Sequence, residues 1–342
     1  MPSHPPAEPR ILVVRFSSMG DIILTTPLLR ALRRRYPSAE ITALTKRSFA
    51  PLLSDHPGLD RLIAWEPGCP LRDLAAELRG YRFSHILDLH GTLRARILRL
   101  LVPGNWTGYG KRRVAREILI RTKRNVYRDT VPEPERYFEA ARELDVHPDG
   151  GPPDFFLSAA AEERGHGWLH AAGLGEQRPL VALVPGAAHA TKRWPVESWI
   201  ELARQLTADG FDAAVLGGPD YAPECAAIAE AGGRHAVSAA GAFGLQETGA
   251  VLRRARVSVS GDTGVMHMAS ATRTPIVALL GPTVGTFGFL PYQAKAIILE
   301  RSLPCRPCSS QGGPACPLGH HRCLRDIPPQ EVAAAVRWMA AA

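Results

Sequence analysis

The first half of the chain alternates short apolar runs with stretches of helical spacing. Residues 11–16 form a continuous apolar run with one arginine, as expected of a strand buried on both faces of a parallel sheet. A tight polar turn at 17–21 follows, and residues 22–35 carry apolar positions at helical spacing. The same two patterns predict further strands at 41–44, 62–65 and 86–89, and helices at 71–78 and 93–101.

A breaker cluster, PDGGPP at 148–153, interrupts this alternation and is the candidate linker. The alternation then restarts, with strands predicted at 180–184, 213–216, 256–260 and 276–280, and helices at 196–206, 222–230, 245–253 and 264–271. Repeated βα units on both sides of a linker predict two doubly wound α/β domains, residues 1–150 and 151–325. The ligand site of such a pair is expected in a cleft, at the carboxyl ends of the strands.

Composition narrows the class of protein. The chain has 342 residues, a comfortable length for two domains, and no apolar run long enough for a spanning helix. Residues 1–10 are polar and proline-rich, so we expect no signal peptide and a cytoplasmic protein. Six cysteines are too few for a disulfide scaffold.

Positive charge is concentrated in one window. The formal net charge is +8, yet residues 94–128 alone hold eleven Lys and Arg against one acid, Glu117. A localised field of this kind attracts an anionic partner, which leaves nucleic acid, an anionic membrane surface and a phosphorylated substrate open. No nucleic-acid-binding module is recognisable in the window, so we expect no nucleic-acid partner.

The turn after the first strand is the first candidate site. Ser17, Ser18 and Gly20 are small enough to let the backbone approach a ligand closely. Asp21 is placed to act as general base on a substrate hydroxyl. The alternative is a helix cap, because Asp is common at helix starts.

A second candidate follows the strand at 180–184, in the segment PGAAHATKRWP at 185–195. Gly186 and its small neighbours free backbone N–H groups, and Lys192 supplies positive charge, which together suit a phosphate at a helix start. The spacing of a Walker A loop is absent. A surface loop with a solvated lysine is the alternative.

The third candidate is GDTGVMH at 261–267, directly after another strand. Consecutive N–H groups at Thr263 and Gly264 would make an anion-binding nest, to which His267 would donate one turn later. Asp262 would hold sugar hydroxyls or cap the helix. Capping plus a buried histidine is the alternative. Asp220 in the GGPD turn at 217–220 would hold a ribose, although such turns are ordinary.

Four cysteines lie within nineteen residues near the C-terminus: Cys305, Cys308, Cys316 and Cys323. The first pair has the spacing of metal ligands, and the cluster predicts a structural Zn or Fe site, with disulfides or free thiols as the alternative.

Four stretches together resemble glycosyltransferase family 9, the ADP-heptose:lipopolysaccharide heptosyltransferases. They are ILVVRFSSMGDIILTTP at 11–27, VPGAAHATKRWP at 184–195, LGGPD at 216–220, and VSVSGDTGVMHMASATRTPIVALLGP at 257–282. They span most of the chain, and the form of the second stretch is more similar to the heptosyltransferase II branch than to the heptosyltransferase I branch.

The resemblance implies a GT-B fold, in which two Rossmann-like domains face a central cleft. The N-terminal domain would bind the acceptor and the C-terminal domain the nucleotide sugar, and a final helix within 326–342 would pack back on the N-terminal domain. It also implies an inverting displacement that requires no cofactor. In that scheme Asp21 is the base and Lys192 neutralises the donor phosphates. The implied donor-binding residues are Gly186, Thr191, Lys192, Asp220, Asp262, Thr263, Gly264 and His267.

An inner-core lipopolysaccharide acceptor is anionic and membrane-embedded, which gives the basic window a partner and implies peripheral association with the cytoplasmic face of the inner membrane. The acceptor-binding residues implied are Ser17, Ser18, Gly20, Arg94, Arg112 and Arg113. Two alternatives remain open: transfer of heptose to a protein acceptor, and a non-enzymatic protein that binds a nucleotide sugar or nucleic acid.

Overall fold

The computed structural model describes residues 8–341; residues 1–7, part of the segment behind the expectation of no signal peptide, and Ala342 lie outside them. The chain divides into two compact units. Unit 1 comprises the residues up to Lys111 together with Glu133–Phe156, and unit 2 comprises Arg112–Pro132 and the residues from Leu157 onward. Among the described residues, no helix is long and apolar enough to cross a membrane.

Residues 8–341 form eleven strands. These are β1 (Arg10–Val14), β2 (Glu40–Lys46), β3 (Arg61–Trp65), β4 (His85–Asp88), β5 (Asn105–Gly108), β6 (Leu180–Val184), β7 (Asp212–Val215), β8 (Ala236–Ser238), β9 (Val257–Gly261), β10 (Ile276–Leu280) and β11 (Ala296–Glu300).

The α-helices of the same residues are α1 (Met19–Ile23), α2 (Thr26–Arg35), α3 (Leu71–Gly80), α4 (Leu93–Leu101), α5 (Arg113–Thr122), α6 (Glu133–Arg136), α7 (Ala159–Ala171), α8 (Val196–Ala208), α9 (Ala222–Ala231), α10 (Leu245–Arg254), α11 (Gly264–Ala271), α12 (Arg322–Arg325) and α13 (Pro329–Ala341).

The sheet of unit 1 is parallel and has the order β3-β2-β1-β4-β5. Its central strand β1 is buried beyond its first residue, which explains the continuous apolar run in the sequence. The strand order reverses between β1 and β4, so their carboxyl ends form the crevice in which doubly wound sheets bind ligands.

Unit 2 repeats this plan with a parallel sheet of order β11-β10-β9-β6-β7-β8, which reverses between β6 and β9. Helix α13 packs against α8, and its Val332, Val336 and Met339 are buried in the hydrophobic core of this unit. Its predicted packing on the N-terminal domain stays a prediction. Two doubly wound α/β units confirm the predicted fold class.

One predicted helix, 22–35, is divided into α1 and α2. The hydroxyls of Thr25 and Thr26 donate to the carbonyls of Ile22 and Ile23, and Pro27 lacks an N–H for a continuous helix. The apolar spacing alone did not reveal this break.

The breaker cluster at 148–153 lies on unit 1, and the unit ends only at Phe156. Arg30 of α2 donates to both Asp149 and Asp154 and to the carbonyl of Pro152. Its hydrogen bonds lower the pKa of Asp149 to about 2. The cluster is therefore held by ion pairs, which is why the unit boundary differs from the one predicted at residue 150.

Residues 112–132 belong to unit 2, although their neighbours in sequence belong to unit 1. The guanidinium of Arg116 on α5 lies 5.3 Å from the ring centre of Phe287 and 5.7 Å from that of Phe289. The ammonium of Lys123 donates to the carbonyl of Pro307 at 2.6 Å. The basic window of the sequence is thus divided between the two units.

Candidate functional site

Asp21 lies at the carboxyl end of β1, in the first turn of α1. Its Oδ2 accepts hydrogen bonds from the backbone N–H of Ser18 at 3.1 Å and from the Ser18 hydroxyl at 2.6 Å. Asp21 is therefore the third residue of the helix, and it bonds back to the residue that precedes it. The capping interpretation and a catalytic role are compatible, because Oδ1 is not used by the cap.

Arg15, the single charged residue in the first apolar run, holds the other oxygen of Asp21. Its Nη2 lies 2.7 Å from Asp21 Oδ1, its Nε donates to the carbonyl of Ser17 at 2.8 Å, and its Nη1 donates to the carbonyl of Leu89. Burial raises the pKa of Asp21, but the charge of Arg15 and the hydrogen bonds from Ser18 outweigh it, so the pKa lies below its ordinary value. Asp21 is thus an ionised carboxylate in a fixed orientation.

His90 follows β4, the strand beside β1, and is buried. Its Nδ1 accepts the backbone N–H of Phe16 at 3.1 Å, so Nε2 carries the proton of the neutral ring. Burial, with the charges of Arg15 and Lys111, lowers the pKa of His90 to about 3. A neutral imidazole with a fixed tautomer can donate from Nε2 to an acceptor.

Arg94 begins the basic window and lies beside this crevice. Its guanidinium is 4.7 Å from the ring centre of Trp65 and 5.7 Å from that of Phe16. Lys111 of the same unit donates to the carbonyl of His90. Arg94, Asp21, Ser17 and Ser18 therefore belong to one region of unit 1, and acceptor binding in this region stays a prediction. Gly20 is buried inside α1.

Arg112 and Arg113, also predicted for the acceptor, lie in unit 2. Arg112 has left-handed backbone angles before α5 and pairs with Asp129 at 3.4 Å, and Arg113 is exposed. Their contact with an acceptor stays a prediction.

Lys192 and Asp262 meet in unit 2, although seventy residues separate them in sequence. Lys192 Nζ lies 2.8 Å from Asp262 Oδ2, and both side chains are largely buried. The hydroxyl of Thr283 donates to the same oxygen at 2.7 Å. Lys192 follows β6 and Asp262 follows β9, so the strand reversal brings the second and third predicted sites together.

Thr263 directly precedes α11, and Gly264 begins this helix. The first N–H groups of a helix have no partner inside it and face any anion in front of it. Among the described residues, the buried Thr263 hydroxyl has no hydrogen-bond partner. His267 is buried one turn later. The N–H groups at Thr263 and Gly264 and the Thr263 hydroxyl, together with the charge of Lys192, suit a diphosphate.

Gly186 is constrained by a neighbouring ring. A Cβ at this position would lie 2.9 Å from Tyr221, whose hydroxyl donates to the carbonyl of Ala187 at 2.7 Å. Arg193 donates to the same carbonyl at 2.8 Å and to the Tyr221 hydroxyl at 3.0 Å. The backbone of the loop after β6 is therefore fixed by these contacts.

Thr191 connects this loop to the C-terminal segment. Its hydroxyl accepts the N–H of Gly313 at 2.8 Å and donates to the Gly313 carbonyl at 3.2 Å. His321 Nε2 lies 2.9 Å from the Thr191 carbonyl. A donor phosphate would have to replace Gly313 to use this hydroxyl, so its predicted donor role stays a prediction. Asp220 is exposed in the turn after β7, and its contact with a ribose stays a prediction.

The four cysteines of the C-terminal cluster are free thiols. Burial raises the pKa of Cys323 to about 11, and the charge of Cys308 adds to the rise. Burial and the charges of Cys316 and Cys305 likewise raise the pKa of Cys308. The thiols are thus near one another, yet within residues 8–341 no three His, Cys, Asp or Glu side chains are arranged to hold a metal ion.

Sequence reasoning missed Arg15, His90 and Lys111. An isolated charge in an apolar strand marks Arg15, and the position directly after a strand marks His90, the same signal that identified Asp21. Lys111 carried no such signal beyond its membership of the basic window.

Comparisons with known proteins place these features in context. The model of glycosyltransferase family 9 (heptosyltransferase) matches residues 71–317. Lipopolysaccharide heptosyltransferase 2 of Salmonella typhimurium is 27% identical, over 94% of this chain and 96% of its own. Lipopolysaccharide heptosyltransferase 1 of Pseudomonas aeruginosa is also 27% identical, over 87% and 86%. The solved structure of E. coli ADP-heptose lps heptosyltransferase II has a TM-score of 0.74 and 26% identity, over 97% and 98% of the two chains.

The Arg15–Asp21 pair generates a prediction about stability. Arg15→Met leaves a buried carboxylate without its counter-charge and is expected to lower the free energy of unfolding by about 3 kcal/mol at pH 7. Because the pKa of Asp21 is depressed in the fold, the contribution of the pair is complete above the unfolded pKa of about 3.9 and disappears as the pH falls through the lower folded value. Urea unfolding at pH 7 and pH 3 measures this.

Arg15→Met combined with Asp21→Asn is expected to regain part of the loss. Arg47→Met is the control, because Arg47 pairs with Glu66 at an exposed position. Equal losses in Arg15→Met at both pH values would contradict the assignment.

Proposed function

The chain belongs to glycosyltransferase family 9 (heptosyltransferase), and on that premise we propose that it transfers L-glycero-D-manno-heptose from ADP-heptose to the inner core of lipopolysaccharide. The observation that carries the proposal is in unit 2. Lys192, the start of α11 and the Thr263 hydroxyl present one cation and several uncommitted donors at the strand reversal. This is the set of groups that a sugar diphosphate requires.

On this proposal unit 2 holds the donor. Lys192 exchanges its contact with Asp262 for the donor phosphates, and the N–H groups at Thr263 and Gly264 bind the same anion. Asp262, with Thr283 still donating to it, then accepts hydroxyls of the sugar. Negative charge grows on the phosphate oxygen as the anomeric bond breaks, and these preorganised groups stabilise it without a metal cofactor.

Unit 1 supplies the base. Asp21 accepts the proton of the acceptor hydroxyl while that oxygen bonds to the anomeric carbon, and the electrons of the breaking carbon–oxygen bond leave with ADP. Attack opposite to the leaving group inverts the anomeric centre. Arg15 occupies one lone pair of Oδ1 and keeps the carboxylate ionised, and a carboxylate oxygen has a second lone pair for the incoming proton.

We favour addition of the second heptose, on the form of the segment at 184–195 and on the likeness to heptosyltransferases 2. Arg94 and Arg112 with Arg113 are proposed to bind the anionic acceptor. Action at the cytoplasmic face of the inner membrane, by peripheral association, is part of the same proposal, since the acceptor is lipid-anchored.

A structural Zn or Fe at Cys305, Cys308, Cys316 and Cys323 is likewise proposed, on the spacing of the four cysteines in the sequence. The thiols would have to move to bind it, because in residues 8–341 no three of them are arranged around a metal ion. It would stabilise the C-terminal loop, which Thr191 links to the loop after β6. Metal analysis of the purified chain tests it, and no step of the transfer depends on it.

The proposed activity is tested with ADP-heptose and two acceptors in parallel: lipid A that carries only Kdo, and the same lipid with one heptose attached. We expect turnover on the second acceptor and an unchanged rate after brief EDTA treatment. Turnover on the first acceptor alone would reverse the choice of branch. Transfer to a purified peptide but to neither lipid would favour the protein acceptor.

Asp21→Asn is expected to retain ADP affinity and to reduce turnover by about 10²–10⁴, the usual contribution of acid–base catalysis. Steady-state kinetics with saturating donor measure the change. Asp55→Asn, at an exposed position of unit 1, is the matched control. A turnover near that of the unmodified protein would exclude Asp21 as the base.

Lys192→Ala is expected to weaken ADP binding at least tenfold and to slow transfer, because it removes the cation of the phosphate site. Calorimetry with ADP measures the first effect without an acceptor. Lys295→Ala changes an exposed lysine of the same unit and is expected to bind ADP normally. Unchanged ADP affinity in Lys192→Ala would remove Lys192 from the phosphate site.

A further inference from the structure

Helix α4 leaves one apolar face uncovered. Leu93 is 73% exposed, Leu100 86% and Leu101 38%, and Ile97 between them is half-buried. These positions follow the spacing i, i+4, i+7 and i+8, so they lie along one face of the helix. On its other side Ala95 and Leu98 are fully buried in unit 1. The helix is therefore anchored in unit 1 by its buried face, and its exposed apolar face is not needed for that packing.

Cations flank this face. Arg96 and Arg99 are exposed, and α4 contains no acidic residue. Within residues 8–341 neither arginine forms an ion pair with a carboxylate. A helix with leucines on one face and unpaired arginines beside them has the pattern of helices that lie in the plane of a membrane interface. Anionic head groups would supply the missing counter-charges.

The same helix reaches the predicted acceptor site. Arg94 follows Leu93 directly and stacks on Trp65 and Phe16. The backbone N–H of Phe16 donates to His90, which also feels the charge of Asp21. One helix therefore carries both an uncovered apolar face and a contact to the region of the base.

We propose that α4 docks unit 1 on an anionic lipid surface. Leu93, Ile97, Leu100 and Leu101 enter the boundary between head groups and acyl chains, and Arg96 and Arg99 contact lipid phosphates. The inference rests on the proposed function in one respect: a lipid-anchored acceptor must be met at the bilayer surface, and docking through α4 brings Arg94 and Asp21 to that level.

A second copy of the chain fits this face less well. Four side chains of one short helix provide much less than the roughly 800 Å² per partner of a stable interface. A twofold contact would also bring like-charged arginines of the two copies together. Charge and area both favour lipid.

The test is binding of the full chain to vesicles, measured by co-sedimentation without donor or acceptor. The chain is expected to bind phosphatidylethanolamine vesicles that contain about 30% phosphatidylglycerol, and to bind phosphatidylcholine vesicles at least tenfold more weakly.

Leu93→Gln with Leu100→Gln is expected to lower partitioning of the chain onto the anionic vesicles at least tenfold. Arg96→Gln with Arg99→Gln is expected to lower it about thirtyfold and to reduce its salt dependence. Leu318→Gln, exposed in unit 2, is the control and is expected to bind normally.

Unchanged binding of the double leucine variant, with an unaltered unfolding midpoint, would overturn the proposal, as would a chain that does not bind anionic vesicles. A concentration-dependent dimer that the leucine changes abolish would assign the face to a second copy instead.

Transfer assays distinguish the docking of α4 from the proposed heptosyltransferase activity. The leucine variant is expected to lose transfer to vesicle-embedded acceptor and to keep it on a delipidated, soluble acceptor. Vesicle binding without heptosyl transfer to any acceptor would refute the activity alone.

Discussion

The reversal of strand order in each parallel sheet is the constraint on which the site depends. In unit 1 it lies between β1 and β4, and in unit 2 between β6 and β9. Each reversal opens a crevice at the carboxyl ends of two strands that are distant in sequence. Asp21 and His90 share the first crevice, and Lys192 and Asp262 share the second. The order of the strands thereby brings together functional side chains that are far apart in sequence.

Each crevice contains a neutralised pair. Arg15 faces Asp21, and Lys192 faces Asp262, at 2.7 Å and 2.8 Å. The two pairs suit different tasks. Arg15 has all three nitrogens committed, so its carboxylate partner is fixed in place. Lys192 is a flexible point charge that, within residues 8–341, pairs only with Asp262, so its ammonium can move to an arriving anion.

Much of the fold could be predicted from apolar periodicity. The elements 93–101, 180–184, 264–271 and 276–280 coincide with α4, β6, α11 and β10. Strands β5, β8 and β11 were not predicted, although β11 has the apolar sequence AIILE. β5 has only four residues with the sequence NWTG, and no periodicity marks so short a segment. The fixed position of the proline–glycine cluster depends on Arg30, more than a hundred residues earlier. In the site, single residues after strands were predictable, whereas the pairing of Lys192 with Asp262, seventy residues apart, required the sheet order.

The placement of residues 112–132 in unit 2 has a consequence for how the chain is made. The chain passes from one unit to the other three times, after residues 111, 132 and 156. On the ribosome, α5 emerges well before Phe287 and Phe289, the rings on which its Arg116 stacks. Unit 1 can fold once residue 156 has left the ribosome, while the α5 segment remains as an unpacked loop. The basic α5 segment can pack only after most of the second sheet has been synthesised. For this reason, no single cut in the chain separates two complete folding units.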